Sequence, residues 1–404
     1  MYTKHFSLLV ILAFLLHACG TASQKSSSNP GIVTGAEQTG LYLPFLQDKN
    51  VGMFVNQTAI INDKSLVDSL LTQGIRIAAI FGPEHGFRGN ASAGTVVNDS
   101  VDVQTGIPII SLYGSKDKPT SQELENIDIM VFDIQDVGVR FYTYINSLRT
   151  MMEACAENNI PLLVLDRPNP NGFYVDGPVL DMSLKSGIGQ FPIPILHGLT
   201  IGEFAQMVNG EGWLADSLQC DLHIIKMRNY THDMPYTLPV APSPNLNSQQ
   251  SILLYPTLCL FEGTIISQGR GTHFPFTVLG NPDLKGKYEF SFTPVSIPGM
   301  SETPLHQDQA CFGLDLRQYD ANKFRQTKRI NLQWLKEMYQ VYPHKEKFFD
   351  YTQSRQMGNF DKLAGSTLLK QQIIDNVSDQ EIFQSWEPAL SQYKEMREKY
   401  LMYE

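Results

Sequence analysis

Ile127-Asp128-Ile129-Met130-Val131-Phe132-Asp133-Ile134-Gln135-Asp136 is the stretch that decides the fold. Its apolar run, ending in acids and an amide, reads as a buried strand whose last residues reach a polar crevice. Four more runs have the same character: Val51 to Val55, Arg76 to Phe81, Ile107 to Leu112 and Pro161 to Asp166. Helical patterns fall between them, at Asp63 to Thr72 with Asn62 as cap and at Ile145 to Asn158. A third, Ile201 to Asn209, opens with the capping box Thr200 and Glu203. This alternation predicts an α/β chain, a Rossmann-like, doubly wound and mostly parallel sheet with ligands outside the carboxyl ends of the strands. After about Met227 the character shifts, and Pro235 to Pro256 is rich in Pro, Asn and Ser. The expected layout is therefore a Rossmann-like catalytic domain over 35–240 and a smaller α+β C-terminal domain over 241–404, closing a cleft. No Gly-x-Gly-x-x-Gly turn joins a strand to a helix, which disfavours a dinucleotide, and no cofactor is expected.

Lys4 and His5 precede the apolar run Phe6 to Leu16, too short to span a bilayer and suited to an export signal over residues 1–18. Leu16-His17-Ala18-Cys19-Gly20 then resembles a bacterial lipobox, with His17 unusual, so Cys19 is the expected lipidation site. Residues 19–34, rich in Ser, Gln and Lys, read as a flexible tether. The expected location is the cell envelope, with the membrane touched only through the lipid, or secretion if lipid is not added. Among the 404 residues the formal net charge is -10, which argues against nucleic acid as a partner. Cys155, Cys220, Cys259 and Cys311 are irregularly spaced and read as buried thiols rather than a disulfide or zinc framework.

The strand-end rule ranks the polar residues. Glu84 lies in Gly82-Pro83-Glu84-His85-Gly86, where the backbone can turn sharply and present a carboxyl group. A Glu in a water-poor pocket stays protonated near neutrality and can protonate a departing glycosidic oxygen, with His85 tuning it; otherwise both merely satisfy a turn. Behind the quoted strand, Asp133, Gln135, Asp136, Arg140 and Tyr142 gather groups that bind sugar hydroxyls, stack on pyranose faces or hold a carboxylate. A structural ion pair between Asp136 and Arg140 is the plainer alternative. Asp166-Arg167-Pro168-Asn169 is a rigid loop suited to binding, or simply a string of turns. Glu262 and Arg270 lie on a glycine-punctuated stretch, and His197 precedes the capping box.

In order and wording these segments resemble a bacterial family of exo-acting β-N-acetylmuramidases of the NamZ type. The resemblance runs from Asn56-Gln57-Thr58-Ala59 through Gly82 to Gly89, Asp133 to Tyr144, Leu165 to Gly172, Gly177-Pro178-Val179 and His197 to Glu203. It continues in Pro242-Ser243-Pro244-Asn245 and in Phe261-Glu262-Gly263-Thr264 to Gly269-Arg270-Gly271-Thr272. It implies hydrolysis that releases N-acetylmuramic acid from the non-reducing ends of peptidoglycan-derived disaccharides or muropeptides, with a catalytic glutamate at Glu84. The second group stays open among Asp136, Asp133, Glu262 and His85. At least one of Arg140, Arg167 and Arg270 is expected to hold the lactyl carboxylate. Ile265 stands where many members carry Asn. The rival from another class is a non-catalytic surface lipoprotein that binds cell-wall sugars. A metal-dependent hydrolase or esterase finds no two-His spacing and no Gly-x-Ser-x-Gly elbow, so no metal is expected.

Overall fold

In chain order β1 (Asn50–Val55) is followed by a small hairpin, β2 (Ile60–Ile61) and β3 (Lys64–Ser65). Next come β4 (Arg76–Gly82), β5 (Ser100–Val101), β6 (Pro108–Ser111), β7 (Ile129–Asp133), β8 (Leu162–Leu165) and β9 (Leu222–Ile225). The structure is a computed structural model and describes residues 31–83, 87, 99–114, 116–349 and 359–404. All but the hairpin form a seven-stranded sheet ordered β5-β6-β4-β1-β7-β8-β9. Neighbouring strands are parallel except for β5, which runs antiparallel on the edge. From β1 the chain moves outward through β4 to β6 and then returns to the other side of β1 with β7. The crevice at this reversal, outside the strand ends, is where such sheets bind ligands.

The sheet is covered on both faces, which is why its central strands are apolar throughout. Met130 and Phe132 of β7 point into one core with Ile145, Leu148 and Met152 of the helix Tyr144–Glu157 and Phe204 of the helix Ile201–Gly210. Ile129 and Val131 point the other way, against Tyr42 and Leu46 of Thr39–Leu46 and Leu66 and Leu70 of Leu66–Thr72. The helix expected from Asp63 thus starts three residues later. Asn62 takes a left-handed turn (φ 52) joining β2 to β3, a conformation its short polar side chain tolerates, and Ser65 occupies the N-cap position. The capping box of Thr200 and Glu203 is present, and Cys155, Cys220, Cys259 and Cys311 are buried free thiols.

Beyond the sheet, β10 (Val278–Asn281), β11 (Ser291–Phe292) and β12 (Cys311–Asp315) form a small antiparallel sheet ordered β10-β12-β11. Helices Gln249–Leu258, Gln333–Val341, Leu368–Ile374 and Asp379–Glu398 belong to the same part of the chain. Their apolar faces join the core under the large sheet, which runs unbroken from Phe132 and Ile145 to Tyr255, Phe276, Trp334, Leu363 and Trp386. Ile32–Glu404 is accordingly one compact unit.

Candidate active site

Asp136 Oδ2 accepts from the Gly138 amide at 2.6 Å, and Gly138 takes φ 76. A Cβ there would come within 2.3 Å of the Asn169 amide, so the bend requires glycine. The bend leads the chain from β7 through Val139 and Tyr142 into the helix Tyr144–Glu157, whose first residues line a cavity of about 350 Å³. Leu112, Tyr113 and Gly114 line it from the end of β6, where Gly82 pairs with Ser111 and its carbonyl accepts from the Leu112 amide. Asn245, Tyr255, Arg270 and Phe276 complete it from the far part of the chain.

Arg270 is the basic side chain among the residues that line this cavity. Its Nε donates to Glu262 Oε1 at 2.5 Å, and its guanidinium lies 5.0 Å from the Phe276 ring centre. Glu262 also accepts from Gln268 Nε2 at 2.9 Å, and its side chain is fully buried. Burial opposes the charge on Arg270, but Glu262 more than offsets this and raises its pKa. Both terminal nitrogens of Arg270 lack a partner among the described residues, and the side chain retains 11% exposure. Glu262, expected as a catalytic acid or base, is the counter-ion that holds this guanidinium in place.

Tyr142 also lines the cavity. Burial, reinforced by Tyr144, Asp136 and Tyr255, pushes its phenol well above the usual range. Most other strand-end residues are engaged inside the protein. Arg167 binds Asp133 through both Nε and Nη2 and reaches the Ile60 carbonyl. Burial drives the Asp133 carboxyl up despite that partner. Gln135 Nε2 donates to the carbonyls of Asp136 and Pro168, and Asn169 Nδ2 to that of Leu199. Asp166 accepts from Thr200 Oγ1, the Gly202 amide and Tyr403 Oη at 2.7, 2.9 and 2.6 Å; its burial still lifts the pKa to about 6. His197 is fully buried, takes the Leu199 amide on Nδ1 and turns Nε2 toward Asp136 Oδ2 at 3.6 Å.

Two expectations change here. Arg140 makes no ion pair with Asp136: its guanidinium donates to the carbonyls of Pro178, Ile193 and Leu363 at 2.8, 2.8 and 2.9 Å. It is fully buried, burial alone lowers its pKa to about 9, and it fastens three segments together. Asp133, Gln135, Asp136, Asp166, Arg167, Asn169 and His197 are not among the residues lining the cavity. Glu84 and His85 lie outside the described residues, two and three positions beyond the end of β4. Sequence reasoning missed Asn146, Ser147, Asn245, Tyr255 and Phe276 as cavity residues. Asn245 lay in a motif already noted, whereas Tyr255 and Phe276 resemble any other core aromatic.

Models of the exo-β-N-acetylmuramidase NamZ match the chain twice, the N-terminal one over residues 51–250 and the C-terminal one over 253–403. The chain belongs to the NamZ family. The peptidoglycan β-N-acetylmuramidase NamZ of Bacillus subtilis (strain 168) is 40% identical over 400 residues, covering 95% of this chain and 94% of that protein. Two crystal structures of DUF1343 family proteins from Bacteroides fragilis NCTC 9343 share the architecture of this NamZ-family chain. One is 43% identical with a TM-score of 0.84, covering 93% of this chain and 99% of its own. The other is 29% identical with a TM-score of 0.77, covering 92% and 99%.

Proposed function

We propose that this chain is an exo-acting glycoside hydrolase that releases N-acetylmuramic acid from the non-reducing ends of peptidoglycan fragments during cell-wall turnover. The observation that carries the reading is Arg270, a cavity-lining guanidinium fixed by Glu262 whose two terminal nitrogens have no partner among the described residues. A guanidinium presented this way suits a carboxylate held by two parallel hydrogen bonds, and the lactyl carboxylate distinguishes muramic acid from glucosamine. The volume of about 350 Å³ lies near the lower end of the ~300–1,000 Å³ typical of ligand pockets and suits one substituted ring. Tyr142, Tyr255 and Phe276 supply aromatic surface for its apolar faces.

In this reading Glu84 protonates the departing oxygen, since it follows β4, whose end abuts the cavity wall. Asp133 and Glu262, each bound to an arginine, are unsuited to activating water. We further propose export and lipidation at Cys19, supported by the wording Leu16 to Gly20; no described helix is long and apolar enough to cross a membrane. Cys19→Ser should then move the protein from the membrane fraction to the soluble one, and unchanged fractionation would refute the anchor. The enzymatic reading is tested by incubating purified protein with muropeptides and analysing the products by mass spectrometry. Free N-acetylmuramic acid is expected, whereas binding without release would make the chain a sugar-binding lipoprotein.

A further inference from the structure

Among the described residues three buried polar atoms of the cavity lining have no partner: Tyr142 Oη and Asn146 Oδ1, four positions apart at the entry of one helix, and Asn245 Oδ1 from the far part of the chain; the first two are taken together. Tyr142 Oη and Asn146 Oδ1 are both buried from solvent, and neither has a partner in ordinary hydrogen-bonding geometry, although Tyr144 lies beside the Tyr142 phenol and helps to raise its pKa. Tyr144 Oη receives Asn56 Nδ2 at 3.0 Å, and the Asn146 Nδ2 group donates to the Gly187 carbonyl at 2.8 Å, which fixes its oxygen as the free end. Buried polar groups almost always find partners, so a free donor and a free acceptor in one cavity wall point to a ligand that offers the complement of both.

We propose that Tyr142 and Asn146 recognise the 2-acetamido group of the sugar, an assignment that rests on reading the cavity as a sugar site. A secondary amide offers one acceptor and one donor on opposite edges. Its carbonyl receives the Tyr142 hydroxyl, its N–H donates to Asn146 Oδ1, and the group lies between the two side chains. The methyl end meets apolar wall, for Phe141, Ile188, Leu246 and Tyr255 line the same cavity. The rings also tie this point to the proposed carboxylate site. Tyr142 stands edge-on to Tyr255 at 6.0 Å between centroids, Tyr255 edge-on to Phe276 at 4.9 Å, and Arg270 lies over Phe276. One aromatic wall thus presents an amide site and an anion site, matching the neighbouring substituents at C2 and C3 of muramic acid. Because both atoms are covered, the ligand must displace neighbouring side chains as it enters, and the amide replaces what they shield.

The experiment compares a chromogenic β-N-acetylmuraminide with the analogue that carries a hydroxyl in place of the acetamido group, and follows melting in parallel. Tyr142→Phe should lower kcat/KM on the acetamido sugar about 10- to 100-fold and leave the hydroxyl analogue nearly unaffected. Its melting temperature should stay level or rise, because the deleted hydroxyl had no internal partner. Asn146→Leu should lose the same preference, and Asn146→Asp, which keeps an acceptor, should retain more of it. Parallel losses on both sugars, or a clear fall in melting temperature for Tyr142→Phe, would show a structural role and overturn the assignment. A wild type active on the acetamido sugar whose preference survives in Tyr142→Phe and Asn146→Leu overturns this assignment alone. A wild type that turns over neither sugar overturns the sugar reading beneath it as well.

Discussion

Replacing Arg270 tests the anion site directly, provided its counter-ion is replaced too. Removing the arginine alone would take this counter-charge from the buried Glu262 carboxylate, at a cost of about 3–5 kcal/mol, and confuse folding with binding. The double variant Arg270→Met with Glu262→Gln removes both charges, keeps a flexible apolar side chain over Phe276 and leaves Gln268 a partner. A hydrogen bond to a charged group contributes about 1.5–3 kcal/mol, so losing two costs ~3–6 kcal/mol in transition-state binding. The lower figure already corresponds to a fall of roughly 150-fold in kcat/KM. The assay compares chromogenic β-N-acetylmuraminide and β-N-acetylglucosaminide at several concentrations, with melting measured on the same samples. Activity on the first should fall by about two orders of magnitude or more, while the second, lacking the lactyl carboxylate, should change little. A double variant that melts like the wild type and still prefers the muraminide would refute the role of Arg270.

Glu84→Gln should lower kcat about 10²- to 10⁴-fold on the muraminide, the usual range for a lost general acid, and near-normal turnover would remove Glu84 from the mechanism. Asp166 titrates near 6 in the folded chain, above the ~3.9 of an unfolded aspartate, so its contribution to stability is complete below about pH 4 and is lost as pH rises through 6. In chemical denaturation between pH 4.5 and 7, Asp166→Asn should therefore weaken the decline in stability toward higher pH; parallel curves would contradict the sign. Arg140→Met leaves the carbonyls of Pro178, Ile193 and Leu363 without their donor and should cost about 3 kcal/mol or more, read as a fall in denaturation midpoint. An unchanged midpoint would show that those carbonyls find other donors.

The central strands were readable because burial on both faces leaves an uninterrupted apolar signature, as in β7. The edge strand β9 was not, because Leu222, His223 and Ile224 are only half-buried and His223 breaks the pattern. The site was harder to see for a different reason. Strand-end charges were found in the right layer of the fold, but composition does not say which partner each one meets. Asp133 meets Arg167 from 34 positions away, and Arg140 meets a carbonyl 223 positions away, so local wording held no sign of these internal partners. Arg270 was recognisable as a candidate; that Glu262 anchors it depends on a turn that brings together residues eight apart.

The unbroken core between the large sheet and the C-terminal helices, fastened by Arg140 to Leu363, bears on how the molecule comes apart. The seam between the two family matches near residue 250 cuts through this core, which has residues on both sides of it. Heating should melt both sides in a single transition, and halves expressed separately around that seam would expose Tyr255, Phe276 and their counterparts and clump instead of folding.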